Sequence, residues 1–352
     1  MTTPSAAPAS TRGNAKPTSD RELRMEIMQL TTGFWRSQVL FASAELGVFD
    51  ALANGPRTAA EVAAHCASHP AYTERLLNGC IACDLLEKES DGRFANGRLA
   101  TEFLTSAGAQ SLSHWVRFMG DCYRPWSVLA ESVRDGKPVV DGFDQIARGK
   151  DYTRHIILAM HEYALGPGRG IVDHLDLAGR KRMLDVGGGP GTYSVLLAER
   201  FPQLSADVFD LPAVVGITDE IIARHGMGAR VRTRAGNYTT DDLGSGYDVV
   251  LLSNMLHQED PETCVALLKK AYAALVPGGL VVIQLAFLNA AKDAPAWGVL
   301  QSLQLLLLYP HGRAYSFEEV LAMLPAAGFA DGRVKKLSML RSESLVLATR
   351  PG

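Results

Sequence analysis

In Met183-Leu184-Asp185-Val186-Gly187-Gly188-Gly189-Pro190-Gly191-Thr192 an apolar run ends in an acid and gives way to a glycine-dense loop. Gly187, Gly189 and Gly191 stand at every second position after Asp185, a D-x-G-x-G-x-G pattern. Glycine admits positive φ and removes the Cβ that would hold a ligand away from the backbone. From Tyr193 to Arg200 apolar residues return at helical spacing, so the loop joins a strand to a helix whose free N–H groups face one cleft. A nucleotide-type pocket is expected. The dinucleotide fingerprint would want a glycine where Thr192 stands, and no Gly-Lys-Ser/Thr follows to make a P-loop.

Ser205-Ala206-Asp207-Val208-Phe209-Asp210 reads as a second strand, ending in an acid about twenty residues beyond the loop. A carboxylate there can hold both ribose hydroxyls, and without a phosphate site beside it a nucleoside suits better than a nucleotide. Taken with Phe209-Asp210-Leu211-Pro212, Gly236-Asn237-Tyr238 and Asn254-Met255-Leu256-His257, the loop resembles that of the S-adenosylmethionine-dependent small-molecule O-methyltransferases of the plant caffeate and bacterial antibiotic type. The resemblance runs from about Arg21 to the C-terminus and is strongest over 183–279. It implies S-adenosylmethionine as cofactor and a homodimer. It also implies that Gly187 and Gly189 pass the methionine moiety, that Asp210 takes the ribose and Leu211 packs on the adenine, and that Asn237 and Tyr238 flank the adenine. Ser253 stands where the family often has a lysine that reaches the cofactor.

From Met183 onward strands and helices alternate. Strands are expected over 183–186, 207–209, 231–235, 247–252 and 280–285, short and apolar as buried parallel strands are. Helices between them imply an α/β, doubly wound, Rossmann-like sheet with its ligand at the C-terminal strand ends. A helix over 317–327 and a hairpin of 333–337 with 344–349 close the chain.

Upstream, apolar residues from Leu23 to Phe41 recur around most of a single helix over 22–43, and a helix apolar on several faces needs several neighbours. We expect a second copy of the chain to cover part of it. Thr58-Ala59-Ala60-Glu61 is a capping box, 71–86 a longer helix, and Asp91-Gly92-Arg93-Phe94 a hairpin turn, the order of a winged helix. Such a module can read DNA, but the stretch 73–84 offers only Arg75 as a cation, so nucleic acid is not the expected partner. Residues 111–176 are again helical and rich in Met, His and aromatics. The resemblance makes this region a roof of the substrate pocket, with Met160, His161 and Tyr309 as candidate acceptor contacts. Gly166-Pro167-Gly168-Arg169-Gly170 should interrupt the helices there. The expected division is a disordered tail over 1–20, a winged-helix dimerisation domain over 21–110, a helical connector lining the substrate pocket over 111–176 and a cofactor-binding catalytic domain over 177–352.

With 352 residues, 47% hydrophobic and 21% charged, the chain has the balance of an ordinary soluble two-domain protein. A net charge of −3 argues against a broad nucleic-acid surface. The five cysteines show no framework spacing, which favours a reducing, cytoplasmic setting, and Cys80-Ile81-Ala82-Cys83 reads as core, with no metal expected. The first twenty residues lack the apolar core of a secretory signal, and no run reaches the roughly 18 apolar residues of a membrane span.

A hydroxyl acceptor must lose a proton, and a phenol of pKa about 10 is ionised to about one part in a thousand at neutral pH, a deficit of roughly 4 kcal/mol. His257, just beyond a strand end, is the candidate base, and it matches the family's catalytic histidine. The surroundings depart from the family. Gln258 and Glu259 follow His257 in place of Asp and Trp, the later strand carries Gln284 where the family has an acid nearby, and Ala314 occupies the acidic place of a Gly-Lys-Glu-Arg-Thr-like segment. A histidine without carboxylates loses the groups that orient it and raise its pKa. Sulfur methylation of a thioether or thiol therefore stands beside O-methylation of a small acceptor, with a cofactor-retaining enzyme that does not methylate as a further alternative.

Overall fold

The computed structural model describes residues 19–140, 149–337 and 343–352. Most of the expected tail lies outside these residues, but Ser19 caps the first helix, Asp20–Thr32, in a full capping box with Glu22.

The C-terminal part is a seven-stranded sheet over β3 (Arg182–Val186), β4 (Ser205–Asp210), β5 (Val231–Ala235), β6 (Tyr247–Ser253), β7 (Leu275–Ala286), β8 (Ala330–Lys336) and β9 (Glu343–Thr349), in the order β5-β4-β3-β6-β7-β9-β8. β3 to β7 run parallel, and β8 and β9 pair antiparallel at the far edge. Alternation along each strand feeds two cores. Leu184, Val250, Val281 and Ile283 meet the helices Pro261–Ala274 and Phe317–Ala326. Met183, Val249, Leu251 and Val282 meet Lys150–His174 and Thr192–Arg200 on the other face. The strand order reverses at β3, which puts the crevice over β3 and β6. The doubly wound expectation and each predicted strand are therefore observed.

The N-terminal part has its own core of Val48, Phe49, Leu77, Leu86 and Phe94. Helices Ala59–His65 and Pro70–Ala82 and the hairpin of β1 (Leu86–Lys88) and β2 (Phe94–Asn96) give the winged-helix order, with the Thr58–Glu61 capping box formed.

Three local expectations need correction. The single helix over 22–43 is two, Asp20–Thr32 and Phe34–Leu46, broken at Gly33. The Thr31 and Thr32 hydroxyls both donate to the Met28 carbonyl, competing with the helix's own N–H groups. The helix expected over 71–86 stops at Ala82, because Asp84 turns left-handed and the Leu85 N–H returns to the Cys80 carbonyl, freeing Leu86 for β1. The glycines at 166, 168 and 170 do not interrupt anything: Lys150–His174 runs through them. A Cβ at Gly168 would stand 2.7 Å from Leu196 and 3.4 Å from Tyr193, so this glycine serves close packing of two helices.

Candidate active site

β3 delivers its chain into a loop in which Gly187, Gly189 and Gly191 take φ of +62°, +51° and +70°. A Cβ on Gly187 would run into the Met255 side chain, and one on Gly191 would sit 3.0 Å from Thr218. Gly189 has nothing within 4 Å of that position and so faces open space. Its N–H donates to Asp210 Oδ2 at 2.7 Å, its carbonyl accepts from Thr218 Oγ1 at 2.6 Å, and Asp210 Oδ1 accepts from the Leu211 N–H at 2.7 Å. Asp210 is thus oriented before any ligand arrives, each oxygen keeping a free lone pair. Burial raises its pKa, and the two N–H donors oppose that rise.

Under the loop, Asp185 is fully buried. Ser194 Oγ donates to its Oδ2 at 2.7 Å, whereas Oδ1 has no partner. Burial, opposed by the Ser194 bond and reinforced by Asp210, pushes the carboxyl up to about 7. The Tyr193 hydroxyl and Gln284 Nε2 are likewise buried and unpartnered. Ser253 connects these groups: its Oγ donates to Gln284 Oε1 at 2.5 Å and it neighbours the Tyr193 hydroxyl. Buried polar atoms without partners are uncommon in a finished core. This group, at the C-terminal ends of β3, β6 and β7, fits a ligand that brings hydrogen-bond donors and positive charge. S-adenosylmethionine has a ribose diol, an ammonium and a sulfonium, and the residues present suit it.

On the adenine side, Asn237 Oδ1 already accepts from the Thr239 N–H at 2.9 Å and from its hydroxyl at 2.7 Å. Only the Asn237 NH₂ is left for a base edge. Lys270 Nζ ties the same loop down, donating to the carbonyls of Tyr238, Thr239 and Asp241 at 2.8, 2.8 and 3.1 Å. The Tyr238 hydroxyl donates to Glu259 Oε1 at 2.5 Å, and Tyr309 is among the groups that act on its ionisation. Tyr238, Glu259 and Tyr309 are therefore neighbours.

His257 sits in the short 3₁₀ turn Leu256–Gln258, which follows Asn254 in a left-handed conformation (φ +53°). Burial pushes its imidazole down to about 4, and no charged group contributes. Among the described residues the ring has no hydrogen-bond partner. Gln284 does not stand in for a carboxylate here, because its side-chain oxygen accepts from Ser253 and Asn254. Ala314 is buried, its N–H donating to Ser302 Oγ at 3.1 Å. The site offers a neutral, apolar-set imidazole.

The candidate acceptor contacts come from two segments, the helix Lys150–His174 and the residue after the helix Ala296–Leu308. Tyr309 reaches the Tyr238 side of the cleft, and Met160 is half-buried on Lys150–His174. His161 follows Met160 on that helix. Its Nδ1 lies 2.7 Å from Thr192 Oγ1 and its ring stands edge-on to His225 at 5.5 Å, so it buttresses the helix after the glycine loop. Sequence reasoning missed Tyr193, Lys270 and the roles of Asp185 and Glu259. Glu259 carried a signal in standing two residues after His257, and Asp185 one in heading the glycine pattern.

Known proteins match this architecture along most of its length. A family model for an O-methyltransferase domain matches residues 126–330, and one for an O-methyltransferase dimerisation domain matches residues 28–106. The 3-hydroxy-5-methyl-1-naphthoate 3-O-methyltransferase of Streptomyces sahachiroi is 31% identical over 92% of this chain and 94% of its own length. Acetylserotonin O-methyltransferase of Macaca mulatta is 31% identical over 91% and 96%. Among solved structures, human N-acetylserotonin methyltransferase in complex with S-adenosylmethionine superposes with a TM-score of 0.86 at 29% identity, covering 96% of this chain and all of that one.

Proposed function

Since the chain belongs to the S-adenosylmethionine-dependent O-methyltransferase family, we propose that it methylates a hydroxyl oxygen of a small, acidic aromatic or enolic acceptor, with His257 as the base. The observation that carries this reading is the half-buried, neutral His257 turned toward no carboxylate and standing on the β6 end of the crevice. A free imidazole lone pair can take the proton of a hydroxyl, but one this weakly basic favours a hydroxyl that is itself acidic. The hydroxynaphthoate in the name of the Streptomyces relative is an acceptor of that class.

Bound S-adenosylmethionine supplies an electrophilic methyl on a sulfonium, displaced in line. Gly187 and Gly189 would lie along its methionine moiety, with Asp185 Oδ1 and the Tyr193 hydroxyl meeting its positive charge. Asp210 would hold the ribose, Leu211 would cover the adenine and the Asn237 NH₂ would read its edge, while Tyr238 would wall the site. Ser253, in place of a lysine, would contribute only through Gln284. Met160 and Tyr309 would line the acceptor's space, and alignment of donor and acceptor would supply most of the acceleration.

The protein acts as a homodimer in this reading. Leu23, Met25, Ile27, Met28 and Leu30 on Asp20–Thr32 and Trp35 beyond it are all exposed, an apolar face that a second copy would bury. Its five cysteines are unpaired, which suits the cytoplasm, and among the described residues no helix is long and apolar enough to cross a membrane.

The test is incubation with methyl-labelled S-adenosylmethionine and a series of phenols and naphthols graded in acidity, alongside matched thiols and thioethers. Label on phenolic oxygen, faster for the more acidic members, is expected. Label on sulfur alone would contradict the proposal.

A further inference from the structure

We propose that Tyr315 is a positioning residue for His257, clamping from beneath the backbone turn that carries the imidazole. This rests on the reading of His257 as the base. Because the ring has no bonded partner of its own among the described residues, its place is set by the backbone that bears it. A 3₁₀ turn leaves its last carbonyls without partners inside the turn; here the Leu256 carbonyl accepts the Glu259 N–H at 3.2 Å within the turn, and it, the His257 carbonyl and the Glu259 carbonyl just beyond are also held from elsewhere in the fold. Cys264 Sγ donates to the Leu256 carbonyl at 3.3 Å, the Arg313 N–H to the His257 carbonyl at 3.0 Å, and the Tyr315 hydroxyl to the Glu259 carbonyl at 2.7 Å.

Tyr315 joins these contacts. It is fully buried, its hydroxyl lies 3.6 Å from Cys264 Sγ, and its carbonyl accepts from the Leu288 N–H at 2.9 Å, just past the end of β7. A phenylalanine would fill the same volume, so what tyrosine adds is the hydroxyl and its grip on the turn. The clamp extends to the cofactor side, because the residue whose carbonyl it holds, Glu259, accepts the Tyr238 hydroxyl through its own side chain. Tyr315 thus fixes the separation between the base and the cofactor loop. The charged groups around the turn are Glu259, Asp260, Arg313 and His311, with His311 3.9 Å from Asp260.

Tyr315→Phe tests this in the full-length protein. The deciding measurement is an NMR titration of ¹⁵N-histidine-labelled protein, with the His257 signal assigned by its loss in His257→Ala. The His257 titration point should move up toward that of an exposed histidine in Tyr315→Phe, while S-adenosylhomocysteine binds within twofold of wild type. An unmoved His257 titration would overturn the proposal. With 1-naphthol as acceptor, kcat should fall about tenfold with the KM for S-adenosylmethionine within twofold, and Tyr315→Phe should add less than a twofold loss in the His257→Ala background. Equal losses in both backgrounds would mean that Tyr315 acts otherwise than through His257. If His257→Ala alone leaves the rate unchanged, the base assignment fails, and the NMR titration still decides the clamp. Should Tyr315→Phe not fold, Cys264→Ala removes one bond of the same clamp and should shift His257 in the same direction.

Discussion

Protonating His257 should silence the enzyme, and the structure states where on the pH scale that happens. With the imidazole pushed down to about 4 by burial, about 97% of it is still neutral at pH 5.5, whereas an exposed histidine titrating at about 6.5 would be only about 9% neutral there. The contrast is about tenfold in active enzyme. The assay is kcat/KM against pH from 5.5 to 7.5 for 1-naphthol, which stays protonated throughout and so adds no limb of its own. A flat profile is expected, and His257→Ala should lie about a hundredfold below it. The folded value lies below the unfolded one, so protonation favours unfolding. The stability contribution is complete above about pH 6.5 and is drawn down as the pH falls toward 4, and circular dichroism must confirm folded protein at each point. A limb centred near 6.5, with a tenfold drop by pH 5.5, would refute the assignment of an uncharged, apolar-set base.

Four further outcomes follow from the geometry. Asp185 is raised to about 7 when folded, so its protonation stabilises the fold increasingly as the pH falls from 7 toward its unfolded value. Asp185→Asn should remove that rise, so that on going from pH 7.5 to 5 its urea midpoint moves further downward, or less far upward, than that of wild type. Gly187→Ala places a Cβ at φ +62° against Met255, costing roughly 1–2 kcal/mol in backbone strain before any packing loss, and calorimetry should show cofactor binding weakened tenfold or more. Lys270→Met releases three loop carbonyls and should weaken S-adenosylhomocysteine about tenfold with little change in its binding stoichiometry. Leu30→Asp on the exposed apolar helix should give a monomer by light scattering at micromolar concentration, and an unchanged mass would remove that face from the interface.

The sheet was legible because its strands announce themselves. Met183–Val186 and Tyr247–Leu252 are short apolar runs that end in turn residues, and buried parallel strands have little choice of composition. Gly168 misled because glycine in sequence signals a break, while the reason for this one is a neighbouring helix with Leu196 on it, information held in another segment. The Gly33 break turned on two threonine hydroxyls competing for one carbonyl, below the resolution of apolar periodicity. In the site, Asp210 and the glycine loop are local in sequence and were read. The surroundings of His257 were read only as departures from a pattern. That Gln284 binds Ser253 and Asn254, and that Tyr315 lies under the turn, depend on contacts between residues thirty or more positions apart.

The central claim is that the Gly187–Gly191 loop and Asp210 together hold the methyl donor. Titrating wild type and Asp210→Ala with S-adenosylhomocysteine in a calorimeter tests it most directly. The account predicts one site per chain in wild type and a loss of at least a hundredfold in affinity in the variant. Equal binding by both proteins, or no heat from wild type, would contradict it.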